Sequence, residues 1–209
     1  MYNFTFNIPT KIHFGKDTIS NLSELKAYGS KVLLVYGGGS IKKNGLYDTA
    51  MKILKDAGLT VFELSGVEPN PKIETVRKGV EICKNEGIDM VLAIGGGSTI
   101  DCSKVVAAGA KYDGDAWDLV LDGSKVKAAL PIFDVLTLSA TGTEMDPFAV
   151  ISDMSKNEKW GTGSPYMVPT MSILNPEYTF SVSKKQTAAG TADMMSHTME
   201  NYFSMEKKG

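Results

Sequence analysis

An apolar run that opens into three glycines and a serine occurs twice in this chain. The first is Lys31-Val-Leu-Leu-Val-Tyr-Gly-Gly-Gly-Ser40 and the second is Met90-Val-Leu-Ala-Ile-Gly-Gly-Gly-Ser98, each followed by helix-like sequence. A buried strand that hands the chain through glycine to a helix N-terminus is a phosphate-binding arrangement. Glycine lets the backbone approach a ligand closely, and the N–H groups of the first helical turn point at the anion. Two such turns, Gly37, Gly38 and Gly39 with Ser40, and Gly95, Gly96 and Gly97 with Ser98, suggest a dinucleotide site.

The rest of the chain agrees with an α/β fold. Helical spacing is expected at residues 16–28 from Ile19, Leu22 and Leu25. A helix is expected at 46–57 with Gly58 as its stop, a short strand at 61–64, and a helix at 72–86 entered through Pro71. Strand 90–94, helix 98–110, a short helix or turn at Trp117 and strand 131–138 follow. Strands alternating with helices over short connections predict a parallel sheet covered by helices, with ligands outside the carboxyl ends of the strands. At the N-terminus, residues 3–14 read as a strand, a proline turn and a second strand. Beyond residue 140 the pattern predicts a small hairpin around Phe148–Ser152 and Lys159-Trp160, and a strand at 170–174. From Ser183 a helix carries Met194, Met195, Met199 and Met205 in a stripe that reads as core.

A length of 209 residues suits one large domain or one domain with part of another. The net charge of −2 points to neither nucleic acid nor an anionic membrane surface. No apolar stretch reaches the ~18 residues of a membrane span, and the N-terminus does not read as a signal peptide, so a cytoplasmic location is expected. Cys83 and Cys102 form no Cys-x-x-Cys pair and read as buried thiols.

Four groups of residues carry candidate chemistry. The first turn has no acidic residue for a ribose and has Lys42 and Lys43 beside it, which permits NADP; the lysines also read as merely solvated. Asp101, three residues past the second turn, caps its helix, receives backbone N–H groups, or orients the substrate end of a site. Leu136-Thr-Leu-Ser-Ala-Thr-Gly-Thr-Glu144 leaves a strand through small hydroxyl residues suited to ribose or phosphate. Asp193 and His197, four apart on a predicted helix, share a face and can grip one divalent metal, although a catalytic centre needs at least three protein ligands. His13 reads as structural.

Together these segments, with Gly66-Val-Glu-Pro-Asn-Pro71 and Ala188-Ala-Gly-Thr-Ala-Asp-Met-Met-Ser-His197, resemble the iron-containing (group III) alcohol dehydrogenases, in particular their clostridial-type butanol dehydrogenase branch. The resemblance implies a Rossmann-like dinucleotide-binding α/β domain, residues 1–180, followed by the first helix of an all-helical metal-binding domain, residues 181–209. It implies NADP or NAD as cofactor and Fe²⁺ or Zn²⁺ as the metal. Gly38 and Ser40 would lie near the adenosine ribose, and Gly96, Gly97 and Ser98 at the pyrophosphate. Asp101 would lie beside nicotinamide and substrate as the catalytic-end residue, Thr137, Leu138 and Thr143 at the nicotinamide ribose, and Lys159 at the phosphates. Asp193 and His197 would be two metal ligands. The implied reaction is metal-assisted hydride transfer between NAD(P)H and a small primary alcohol or aldehyde, in a homodimer formed through the N-terminal strands. Departures are Thr143 where serine is common, Asn175 in place of an aspartate, Pro147 and Phe148 near the substrate, and the absence of the two later histidines that complete the metal site. The chain by itself is therefore expected to bind metal poorly and to turn over slowly or not at all. A non-catalytic dinucleotide-binding module and a glycerol dehydrogenase-like or dehydroquinate synthase-like relative remain as alternatives.

Overall fold

The computed structural model describes Asn3, Thr5 and residues 7–204. The expected first N-terminal strand and Met205 therefore lie partly or wholly outside the described residues. The apolar runs become strands β2 (Lys31–Tyr36), β4 (Met90–Gly95) and β5 (Ile132–Leu136). Every residue of β4 and β5 is buried, as a strand covered on both faces requires. With β1 (Lys11–Phe14), β3 (Thr60–Leu64) and β8 (Met171–Leu174) they form one six-stranded sheet in the order β1-β8-β5-β4-β2-β3. Every neighbouring pair in it is parallel.

The run β3-β2-β4-β5-β8 is the 2-1-3-4-5 order of a doubly wound sheet, extended at one edge by β1. The chain goes from β2 outward to β3 and then returns past β2 to β4. The connections from β2 and from β4 therefore leave in opposite directions and open a crevice between the carboxyl ends of these two strands.

Helices α3 (Ile73–Glu86), α4 (Gly97–Gly109) and α5 (Ala116–Leu121) cover one face of the sheet. Val76, Val80, Val105, Val106 and Trp117 pack there against Leu33, Val35 and Val91. The contact between α3 and α4 is close because each presents a glycine to a valine of the other. A Cβ on Gly79 would lie 2.6 Å from Val106 Cγ2, and one on Gly109 would lie 2.6 Å from Val80 Cγ2. The opposite face is covered by α1 (Ser40–Lys43), α2 (Leu46–Asp56) and a helical segment at Thr18–Tyr28.

That last segment is a 3₁₀ helix, with Ile19, Leu22 and Leu25 buried. Apolar residues spaced by three throughout fit three residues per turn better than 3.6. Strands β6 (Phe148–Asp153) and β7 (Glu158–Gly163) form the expected hairpin, antiparallel and outside the main sheet. Cys83 and Cys102 are buried and unpaired, and burial pushes both thiols up to about 12.

The final helix, α6 (Lys184–Phe203), starts where expected, with the Ser183 side chain accepting from the Gln186 amide. The methionine stripe, read as the inward face of a helical domain of which this chain carries the first helix, is without packing partners among the described residues, as that reading expects. Met194, Met195 and Met199 are exposed, and no residue of α6 is buried. Their helical spacing marks a face, and the described residues place nothing against it.

Candidate dinucleotide site

The crevice at the carboxyl ends of β2 and β4 holds a cavity of about 580 Å³. Gly38, Ser40, Ile41, Val67 and Pro69 line it from the β2–β3 side. Gly96, Gly97, Ser98, Thr137 and Leu138 line it from the β4–β5 side. Two sequence motifs almost 60 residues apart are thus brought to one hollow by the sheet order.

Local sterics explain the glycines. Gly39 lies at φ 99° and precedes α1, a left-handed conformation that glycine adopts without strain. A Cβ on Gly95 would lie 2.5 Å from Thr99 Oγ1, so β4 can turn into α4 this tightly only without a side chain. The Ile100 amide donates to the Gly96 carbonyl to open the helix, which leaves the Gly97 and Ser98 amides outside the helical ladder at the crevice.

Asp101 and Thr143 do not line this cavity; they lie side by side behind it. The capping role for Asp101 is excluded, because Gly96 is the N-cap of α4. The Thr143 hydroxyl donates to Asp101 Oδ1 at 2.7 Å, and the Val150 amide donates to Oδ2 at 3.0 Å. Burial raises the Asp101 carboxyl above its ordinary range, and these two donors pull against that rise. Asp101 thus ties α4 to the 139–147 loop and to β6.

Beneath that loop lies a polar cluster the sequence did not announce. Lys104 is fully buried. Its Nζ lies 2.8–2.9 Å from four acceptors, Thr143 Oγ1, Asp146 Oδ1 and the carbonyls of Asp146 and Phe148, which share its three protons. On β5, Asp134 is also fully buried, with one oxygen lacking a partner. The Ser172 Oγ, its direct neighbour on β8, lies 2.6 Å from Asp134 Oδ2 and 2.7 Å from the Glu144 carbonyl. A serine has one proton. Both contacts are satisfied when a protonated Asp134 donates to Ser172 and Ser172 donates to Glu144. Burial, which holds this carboxyl well above the usual range, agrees.

The sign of the linkage follows. A carboxyl whose pKa is raised on folding contributes stability that is fully present below the unfolded value of about 4 and is lost as pH climbs toward the folded value. Asp134→Asn keeps a donor for Ser172 and cannot ionise. Denaturant unfolding at pH 4.5 and 7.5 is expected to show the variant gaining stability relative to the native chain as pH rises.

The remaining sequence candidates are placed elsewhere. Lys159, on β7, donates to Asn70 Oδ1 at 2.7 Å and so ties the hairpin to the turn after β3. Asp193 lines an adjoining cavity of about 480 Å³ with Leu138, Ser139 and Gln186. His197 Nε2 lies 3.9 Å from Asp193 Oδ1 on the exposed face of α6. Two donors on a tetrahedral ion with bonds of about 2.1 Å stand about 3.4 Å apart, so the pair fits a divalent cation in donor type and approaches it in spacing. No group of three or more metal-binding side chains occurs among the described residues, so the pair is not a complete centre.

The first turn, residues 36–43, carries no carboxylate of its own, but the fold brings one beside it. Glu63, on the neighbouring strand β3, accepts from the hydroxyls of Tyr36 at 2.6 Å and Tyr47 at 2.7 Å. Lys42 Nζ lies over the Tyr47 ring, 4.4 Å from its centre, and 3.9 Å from Glu63. Lys42 is held in this cage, and a carboxylate stands near the end of β2 after all. The signal was available as an acidic residue roughly 20 residues beyond the glycine turn, the position where ribose-binding acids stand in related sheets.

Fold and crevice define a doubly wound, nucleotide-binding type of domain. The chain belongs to the iron-containing alcohol dehydrogenase family, whose family model matches residues 9–176. It is 62% identical over 205 residues to NADH-dependent butanol dehydrogenase A of Clostridium acetobutylicum, covering 98% of this chain and 53% of that protein. It is 40% identical over 205 residues to the NADPH-dependent aldehyde reductase YqhD of Escherichia coli, covering 97% of this chain and 52% of that protein. The crystal structure of NADH-dependent butanol dehydrogenase A from Thermotoga maritima superposes with a TM-score of 0.93 at 49% identity, over 97% of this chain and 52% of that one. The chain spans about half the length of the curated relatives it matches. No described helix is long and apolar enough to cross a membrane.

Proposed function

We propose that this chain binds a nicotinamide dinucleotide in the crevice between β2 and β4, as the cofactor-binding part of a metal-assisted alcohol and aldehyde oxidoreductase. The observation that carries this reading is the convergence of both glycine turns on one cavity at the switch point of the sheet. The pyrophosphate lies on the first turn of α4, at Gly96, Gly97 and Ser98, where helix-end amides favour negative charge. The adenosine half lies over Gly38 and Ser40. The nicotinamide half lies on the β5 side, at Thr137 and Leu138, with Asp101 and Thr143 behind it. The bound nicotinamide would supply the hydride chemistry, toward a small primary alcohol or aldehyde of the butanol and butyraldehyde type.

Glu63 favours NADH over NADPH, since a carboxylate there opposes a 2′-phosphate and Lys42 is held in its cage. The relatives named as NADH-dependent support the same preference. A divalent metal held by Asp193, His197 and further donors would supply Lewis acidity at the substrate oxygen. This chain's own side chains bind and orient the cofactor. The same proposal includes a division near residue 180, supported by the absence of buried residues in α6. It also includes a cytoplasmic location and a homodimer joined along β1, an edge strand with Ile12 and Phe14 exposed.

Titration of the 209-residue chain with NADH, followed by nucleotide fluorescence, tests the reading. Saturable binding displaced by ADP-ribose, tighter than that of NADPH, is expected; no saturable binding would overturn it. A specific observation favours one further reading, that the chain by itself is a binding module without turnover: only two metal donors come together among the described residues. Reduction of butyraldehyde above background by the chain alone would exclude that reading.

A further inference from the structure

Lys104 has a side chain that no role in the crevice explains. It is buried on α4, two turns beyond Gly97, and every partner of its Nζ lies in residues 143–148. An ammonium only donates. Thr143 Oγ1 must therefore accept from Lys104 and spend its single proton on Asp101 Oδ1. With the Val150 amide on Oδ2, both oxygens of Asp101 are then held as acceptors in one orientation. The same segment backs the crevice wall: a Cβ on Gly97 would touch Thr143 Cγ2 at 3.6 Å, and one on Gly96 would touch Leu138 at 3.3 Å.

We infer that Lys104 is a positioning residue for the nicotinamide end of the crevice, acting through a directed hydrogen-bond chain from its ammonium through Thr143 to Asp101. The inference rests on the reading of the crevice as a nicotinamide dinucleotide site. It assigns Lys104 to the β5 side of that site, because its partners all lie in residues 143–148, the β2-turn residues are not among them, and they meet the α4 terminus only where a Cβ on Gly97 would come within 3.6 Å of Thr143.

The test compares NADH with ADP-ribose, which lacks the nicotinamide, on the 209-residue chain. Lys104→Met is expected to weaken NADH binding about tenfold while leaving ADP-ribose binding within about twofold. Equal loss of both ligands would mark Lys104 as merely structural and overturn the inference, as would no loss of either. Should Lys104→Met not fold, Lys104→Gln, which keeps an N–H donor in the cluster without the charge, carries the same comparison of NADH with ADP-ribose, and the same outcomes decide it. Native chain that binds ADP-ribose but not NADH would overturn it too, and native chain that binds neither would overturn the dinucleotide reading itself.

Discussion

Gly96→Val is expected to cost this chain nearly all of its NADH affinity, with the fold intact. Gly96 has φ −89° and ψ −172°, extended backbone that any residue adopts, so valine introduces no backbone strain. The new side chain has one place to go. It projects over the first turn of α4 toward Leu138, whose Cβ lies 3.3 Å from the position of the added carbon. That is the volume in which a pyrophosphate would meet the amides of Gly97 and Ser98. Losing one or two hydrogen bonds to a charged group costs about 3 kcal/mol, roughly 100-fold in affinity. Fluorescence titration should show that loss for NADH and for ADP-ribose alike, since both carry the pyrophosphate. The melting temperature should shift by no more than about 4 °C, the effect of about 1 kcal/mol in a domain of this size. A variant that binds NADH normally would place the pyrophosphate elsewhere.

Gly79→Leu is expected to do the reverse, attacking the fold and reaching the site only through it. Gly79 faces Val106 and Leu64, and even a single carbon there would sit 2.6 and 2.9 Å from their methyl groups. Val106 is β-branched and stiff about χ1, so it cannot swing aside. The two helices must separate instead, and α4 is the helix whose N-terminus forms the crevice floor. Overpacking of this kind costs about 3 kcal/mol or more, which in a domain of this size lowers the melting temperature by roughly 6–12 °C. The smaller Gly79→Ala change gives a cleaner diagnosis. In a Val106→Ala background most of its penalty should vanish, and a double-mutant cycle on unfolding free energy measures that coupling. Additive effects would show that the two residues do not meet.

The parts of this molecule that were legible in its sequence are those that depend on local periodicity. The runs at 31–36 and 90–95 could be nothing other than buried strands, and the glycines after them had to be turns. The spacing of Ile19, Leu22 and Leu25 marked a helix, and its interval of three is the period of the 3₁₀ helix that forms there. Residues whose meaning depends on a partner far along the chain were not legible. Lys104 stands among Cys102, Val105 and Val106 and finds its acceptors around 40 residues later. Glu63 could be marked by its distance from the glycine turn, but its contacts with Tyr36 and Tyr47 needed the fold. Asp134 did leave a trace, a lone carboxylate inside Ile132-Phe-Asp-Val-Leu136, a stretch buried throughout. The methionines of α6 show the limit of periodicity, since a stripe at helical spacing states which face is apolar and not what covers it.

The pairing of β1 with β8 has a consequence for how the chain is made. Lys11 and Phe14 align with Met171 and Leu174, so two strands far apart in sequence lie side by side. Ribosomes add about 5–20 residues per second, and β8 therefore follows β1 by on the order of 10–30 s. Strands β2 to β5 have all their mutual partners well before then. The nascent chain can assemble the strands that flank the crevice while β1 waits without a neighbour, and the sheet acquires its outer edge only when β8 emerges. Contacts of such long sequence separation slow folding. In this order of synthesis β1 meets β8 only after the strands that flank the crevice have met one another, at the edge of the sheet farthest from β3.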